Sequence, residues 1–319
     1  MAGEPLNRTA IQRAVEQAYA TGCRAVGESK VATYIPELAK ASPHWFGIAV
    51  HPLGEAAPVI AGDAELAFTL QSVSKVFSLA TVLARNGDSA LDGIGVEPSG
   101  DAFHSIVRLE EEKGRPRNPL INAGAIAVSE RLDGNSVESK IAELRAFLAR
   151  ICPSSTFAID EAVFHSEWRT GFRNRALANY MRHYGVINDP ILAVETYIRQ
   201  CAITATAASL ARLGLFLANG GIDPSSGAKV LSTTHTRTVL ALMMTCGLYD
   251  EVGHFAVRVG LPAKSGVSGG MLAIAPGRLT VATYGPALGA KGNSVAGAAA
   301  IESLAQTLGL SIFDPVTVA

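Results

Sequence analysis

The segment LQSVSKVFSLA, residues 70–80, decides how the rest of the chain is read. It places Ser72 three residues before Lys75 and then turns apolar with helical spacing. Val76, Leu79, Ala80 and Leu83 recur every three or four positions, and Gly87 stands where such a helix ends. Residues i and i+3 share a helix face, so Lys75 can reach Ser72. The partial positive charge of a helix N-terminus disfavours an ammonium there, as does burial among Val76, Phe77 and Leu79. A neutral lysine can take the proton of a serine hydroxyl, and the backbone N–H groups of the same turn can hold an oxyanion. The alternative is that Ser72 caps the helix and Lys75 is solvated. Taken alone, the segment leaves both readings open.

A second Ser-x-x-Lys, Ser226 and Lys229, lies in DPSSGAKV and reads as a solvated loop. The tetrad is therefore weak by itself. A further signal comes from GLPAKSGVSGGM (260–271), which sets Lys264-Ser265-Gly266 on a predicted strand late in the chain. Serine enzymes of the penicillin-binding and β-lactamase type pair an early helical S-x-x-K with a late K-[ST]-G on a sheet edge.

Composition narrows the class. The 319 residues are 48% hydrophobic and 17% charged, enough for a large core. A net charge of -1 gives no footprint for nucleic acid. No apolar run is long enough to span a bilayer, and the first twenty residues lack the pattern of a signal peptide. Cys23, Cys152, Cys201 and Cys246 are widely spaced and read as small buried hydrophobes in a reducing, cytoplasmic setting. The seven histidines form no HxH or HxxxH pair, so no metal site is expected.

Helices are predicted over 8–21, stopping near Gly22, and over 138–151, 173–184, 190–201, 206–221 and 233–247, with a last one from 293. WFGIAV (45–50) and PVIAGD read as a hairpin. HFAVRVGL (254–261), GGMLAIAP and GRLTVATYG read as three consecutive antiparallel strands. Strands at both ends and helices between predict an α+β fold. One antiparallel sheet is built from about 1–70 and 250–319 and covered by the terminal helices. A helical lobe, about 71–249, stands beside it in a single catalytic unit, with the cleft between the two.

Eight segments then stand in order: YIPELAK, QSVSK, EPSGDAFHSIVRLE, NPLINAGAI, SEWRTGFRNRALA, CGLYD, LPAKSGVSGG and GNSVAG. Together they closely resemble the glutaminase family of serine-dependent, β-lactamase-like enzymes. The resemblance runs from about residue 25 to about residue 300. It implies hydrolysis of L-glutamine to L-glutamate and ammonia, with no cofactor. It implies Ser72 as nucleophile, Lys75 as base acting directly or through Tyr249, and the backbone N–H groups of Ser72 and Val267 as oxyanion hole. It further implies substrate contacts from Tyr34, Asn122, Glu167, Asn174, Tyr197, Tyr249 and Val267.

Each of these residues also has a plain structural reading. Asn174 could be an N-cap, Tyr197 and Tyr249 core aromatics, Asn122 a capping residue and Glu167 a surface acid. Arg173 reads as an ion-pair partner without a catalytic role. One departure stands out: His104, in FHSI, occupies the place where the family's pattern has asparagine. The terminal extensions of the animal mitochondrial enzymes are not expected. Two rivals remain. A β-lactamase or penicillin-binding enzyme needs a middle S-x-N or Y-x-N, which the chain lacks. A glutamine-binding sensor would bind without releasing ammonia. Apolar terminal helices suggest a homodimer or homotetramer.

Overall fold

The structure, a computed structural model, describes residues 7–27, 29–98 and 106–314; His104 lies outside the described residues. In chain order the strands are β1 (Gly47–Pro52), β2 (Val59–Gly62), β3 (Phe68–Thr69), β4 (Thr204–Ala205), β5 (Ala263–Ser265), β6 (Gly270–Ala275) and β7 (Leu279–Tyr284). The first six helices are α1 (Arg8–Ala25), α2 (Ser74–Asn86), α3 (Val107–Glu111), α4 (Asn122–Glu130), α5 (Val137–Ile151) and α6 (Glu161–Thr170). Then follow α7 (Phe172–His183), α8 (Pro190–Cys201), α9 (Ala207–Ala218), α10 (Thr233–Cys246), α11 (Val252–Arg258) and α12 (Val295–Leu308).

Five strands form one antiparallel sheet in the order β2-β1-β7-β6-β5. Strands from the two ends of the chain thus meet at the β1–β7 ladder, where Ala49 faces Ala282 and Val50 faces Val281. β1, β6 and β7 are buried throughout because both faces of the sheet are covered. Alternate residues divide between two cores. Ile48, Val50, Met271, Ala273 and Val281 pack with α1 and α12, whereas Ala49, Leu272, Ile274 and Ala282 pack with the helical half. The second cover is α9, whose Gly214 faces Leu272, Ile274 and Thr280. The sheet is therefore closed by a helix from the middle of the chain as well as by the terminal pair.

The helices form where their caps and periodicity direct. Asp189 caps α8 ahead of Pro190, and Thr206 and Ser209 make a reciprocal capping box on α9. Asp160 caps α6. Helix α2 is buried from Ser74 to Leu83 and forms the axis of the helical half.

Two expectations change. Helix α1 does not stop at Gly22 but runs to Ala25. A Cβ on Gly22 would lie 2.3 Å from the Phe46 ring and 3.0 Å from the Ala296 carbonyl oxygen, so this glycine serves close packing rather than termination. The segment 254–261 is not a strand; most of it belongs to α11. Phe255 and Val259, one turn apart, are buried while Val257 is 89% exposed, a pattern that one helix face satisfies. The two-stranded β3–β4 ribbon within the helical half was not foreseen. Of the cysteines, Cys152, Cys201 and Cys246 are buried and Cys23 is exposed; all are free. Among the described residues no helix is long and apolar enough to cross a membrane.

Candidate active site

Ser72 lies in a 3-10 turn, Gln71–Val73, that leads directly into α2. It is 7% exposed and opens onto a cavity of about 390 Å³ between the sheet edge and the helical half. Gln71, the preceding residue, has φ +46°, left-handed backbone that a non-glycine residue adopts only when its surroundings enforce it. The enforcement comes from β5. A Cβ on Gly266 would lie 2.7 Å from the Leu70 carbonyl oxygen and 3.3 Å from the Ser72 nitrogen. Glycine in Lys-Ser-Gly therefore lets the sheet edge close against the serine turn, with Val267 next on the cavity wall.

Lys75 is fully buried, one turn beyond Ser72. Its Nζ donates to Asn122 Oδ1 at 2.7 Å and to the Leu120 carbonyl at 3.2 Å. Burial lowers its pKa to about 8; Cys201 and Glu167 oppose that shift. The ammonium therefore leans on Asn122, a partner remote in sequence, and the isolated Ser-x-x-Lys gives no hint of that contact. Asn122, the first residue of α4, is the hub of the floor. Its Oδ1 also accepts from the Tyr197 hydroxyl at 3.1 Å, and its Nδ2 donates to Asn174 Oδ1 at 3.0 Å. Burial raises the pKa of Tyr197 well above its ordinary value, so it remains a donor.

Glu167, on α6, is 7% exposed and faces the same cavity. Burial raises its pKa to about 7, against the opposing pull of the Gln71 amide and Lys75. Glu167 Oε2 and Gln71 Nε2 are both sealed from solvent and make no hydrogen bond of normal geometry, the Gln71 amide lying against the Glu167 carboxylate. Arg173 lines the rim, is exposed, and makes no ion pair among the described residues, contrary to its expected structural pairing. Tyr34 lines the mouth at 56% exposure, on a loop tied to α6 through the Glu37 N–H to Ser166 Oγ, 3.4 Å.

Tyr249 approaches from the sheet side, in a turn between α10 and α11, with φ +54°. Its hydroxyl is sealed from solvent and sits against the Ser72 and Ser265 hydroxyls. Burial pushes its pKa up to about 12; the two serines oppose the shift. Lys264 stands 4.5 Å from the centre of its ring, donating to the Gly247 and Ser265 carbonyls at 2.8 and 2.7 Å.

Seven of the residues named from sequence thus line one cavity: Tyr34, Ser72, Asn122, Glu167, Asn174, Tyr197 and Val267. Lys75 and Tyr249 lie directly behind it. Gln71, Thr170, Gly171 and Arg173 also line it and were not anticipated. Gln71 and Arg173 stand beside the named Ser72 and Asn174 in the chain. The second tetrad has the predicted loop character. Lys229 is exposed, and Ser226 Oγ donates to Asp223 Oδ2 at 2.5 Å. Among the described residues no group of three His, Cys, Asp or Glu side chains could hold a metal.

An early serine–lysine turn, a late Lys-Ser-Gly edge strand and a closed cleft between sheet and helices define an α+β hydrolase of the β-lactamase-like class. The glutaminase family model matches residues 29–313. A glutaminase of Rhodopseudomonas palustris is 47% identical over 316 residues, 98% of this chain and 99% of its own. Among solved structures, the probable glutaminase ybaS superposes with a TM-score of 0.92 at 36% identity, covering 97% of this chain and all (100%) of the other. Bacillus subtilis glutaminase YbgJ, seen as a covalent complex with 5-oxo-L-norleucine after reaction with 6-diazo-5-oxo-L-norleucine, gives 0.83 at 34% identity. That match covers 95% of this chain and 98% of the other. The chain belongs to the glutaminase family.

Proposed function

We propose that this protein hydrolyses L-glutamine to L-glutamate and ammonia through a seryl ester on Ser72. The observation that carries the reading is the convergence of seven sequence-named residues on one cavity, with the Glu167 carboxylate on its wall. Ser72 Oγ attacks the side-chain amide carbon. Lys75 accepts the serine proton, while Tyr249, whose hydroxyl contacts Ser72, orients the attacking oxygen. The backbone N–H groups of Ser72 and Val267 receive the oxyanion across the Gly266 contact. Lys75 returns the proton to departing ammonia, and water then cleaves the ester.

Recognition follows from charge. Glu167, ionised above about pH 7, pairs with the substrate's α-ammonium. Asn122, Asn174, Tyr197 and Tyr34 supply hydrogen bonds to the α-substituents, and Arg173 adds positive charge at the rim. An amide lacking those substituents leaves buried polar groups unpaired and is rejected.

The test is Ser72→Ala. Ammonia release falls by orders of magnitude, covalent labelling by 6-diazo-5-oxo-L-norleucine disappears, and L-glutamate still binds. Ser226→Ala, in the loop tetrad, is the control and retains full turnover. Substantial turnover in Ser72→Ala rejects the nucleophile assignment. The sheet lobe and helical lobe act as one catalytic unit. The free cysteines suit a cytoplasmic enzyme. The exposed Phe172, Ile191 and Val257 suit self-association as a homodimer or homotetramer, which light scattering in solution reads directly.

A further inference from the structure

The GNSVAG segment, 292–297, reaches the site by a route that the resemblance leaves without a role. Asn293, two residues before α12, is 4% exposed. Its Oδ1 accepts the Ser265 hydroxyl at 2.5 Å. Its Nδ2 donates to the Leu248 carbonyl at 3.3 Å and to the Glu251 carboxylate. Leu248 and Glu251 bracket Tyr249 in the chain, and Ser265 is one of the two hydroxyls against its phenol. One asparagine therefore grips the backbone before Tyr249, a side chain just after it, and the group on which its hydroxyl leans. Such a grip answers a need, because the left-handed backbone of Tyr249, φ +54°, persists only where its surroundings over-determine it.

The donor pattern also has a direction. A carboxylate only accepts, so Glu251 turns the Asn293 amide nitrogen toward itself and leaves Oδ1 for Ser265. Ser265 has a single proton, and Asn293 takes it.

We propose that Asn293 is a positioning residue for catalysis: through Ser265 and the 248–251 turn it holds the Tyr249 hydroxyl against Ser72, with Glu251 fixing the sense of its amide. The inference rests on the reading of Ser72 as the nucleophile.

The experiment uses the full chain and three variants. Asn293→Ala lowers kcat at least ~10-fold while L-glutamate affinity, measured by calorimetry, stays within about twofold. Asn293→Asp sets two carboxylates against each other and loses rate. Adding Glu251→Gln restores a donor at 251 opposite an acceptor at 293, and the pair regains most of the lost kcat. The rate of Ser72 labelling by 6-diazo-5-oxo-L-norleucine moves in parallel and is read independently of glutamine turnover. The proposal is overturned if Asn293→Ala keeps wild-type kcat and labelling rate. Loss of glutamate affinity by the same factor as kcat also overturns it, as does a double variant no faster than Asn293→Asp. A wild-type protein that labels at Ser72 but releases no ammonia from glutamine overturns the reaction reading, and the labelling rates then decide this one.

Discussion

Replacing Asn122 with aspartate tests the electrostatics of the cavity floor through the exchange of an amide nitrogen for an oxygen. Asn122 Oδ1 stands 2.7 Å from Lys75 Nζ, so Asn122→Asp puts a charged acceptor where a neutral one was. Asn174, which now accepts from Asn122 Nδ2, turns its amide to donate to the new carboxylate. Burial sets the pKa of Lys75 at about 8, and an opposite charge this close raises a lysine pKa by about 1–3 units. A rise of about 2 units is worth roughly 2.7 kcal/mol in favour of the ammonium. At about pH 7.5 the neutral fraction then falls from about a quarter to about 0.3%, a loss of ~80-fold. The assay is ammonia release at saturating glutamine across about pH 6 to 10, where the limb governed by the base moves upward by about 2 units and kcat recovers at the alkaline end. A limb that stays in place, or that moves to lower pH, refutes Lys75 as the titrating base.

Two other outcomes follow from the same geometry. In the wild type, glutamine binding strengthens as pH rises through about 7, because Glu167 gains its charge there. Glu167→Gln removes that dependence and raises KM by ~10- to 100-fold, the worth of a charge-assisted hydrogen bond, with a smaller effect on kcat; pH-resolved KM values measure it. Gly266→Ala drives a Cβ against the Leu70 carbonyl at 2.7 Å and the Ser72 nitrogen at 3.3 Å. It should cut kcat on the order of 100-fold and slow Ser72 labelling; wild-type rates in this variant show that the close approach is dispensable.

What the sequence made legible was local. Asp189-Pro190 and Thr206 announce their helices because a cap and the first turn lie within three residues of each other. The serine–lysine pair was visible for the same reason, since one turn of helix joins them. Non-local partners were not visible. Lys75 meets Asn122 and Leu120 across the fold, and Asn293, read as the start of the last helix but lying two residues before it, reaches back to 248, 251 and 265. The segment 254–261 misled because Phe255, Val257 and Val259 have strand propensity, whereas burial of Phe255 and Val259 on one face selects a helix. The resemblance to a family named residues far apart in the chain for one site, but none of these contacts between them.

The order of the sheet strands governs when the cavity can be completed. A ribosome releases Ser72 and Lys75 early, but β7 (Leu279–Tyr284), the neighbour of β1, comes more than two hundred residues later than that strand. Tyr249, Val267 and Asn293 also emerge in that final portion. A nascent chain therefore carries Ser72 before Val267 has joined the cavity wall and before the Tyr249 phenol stands beside it. Such long-range pairing is slow to form and completes only with nearly the whole polypeptide in hand. On the proposed mechanism, partial products of translation are chemically silent until the last strands dock.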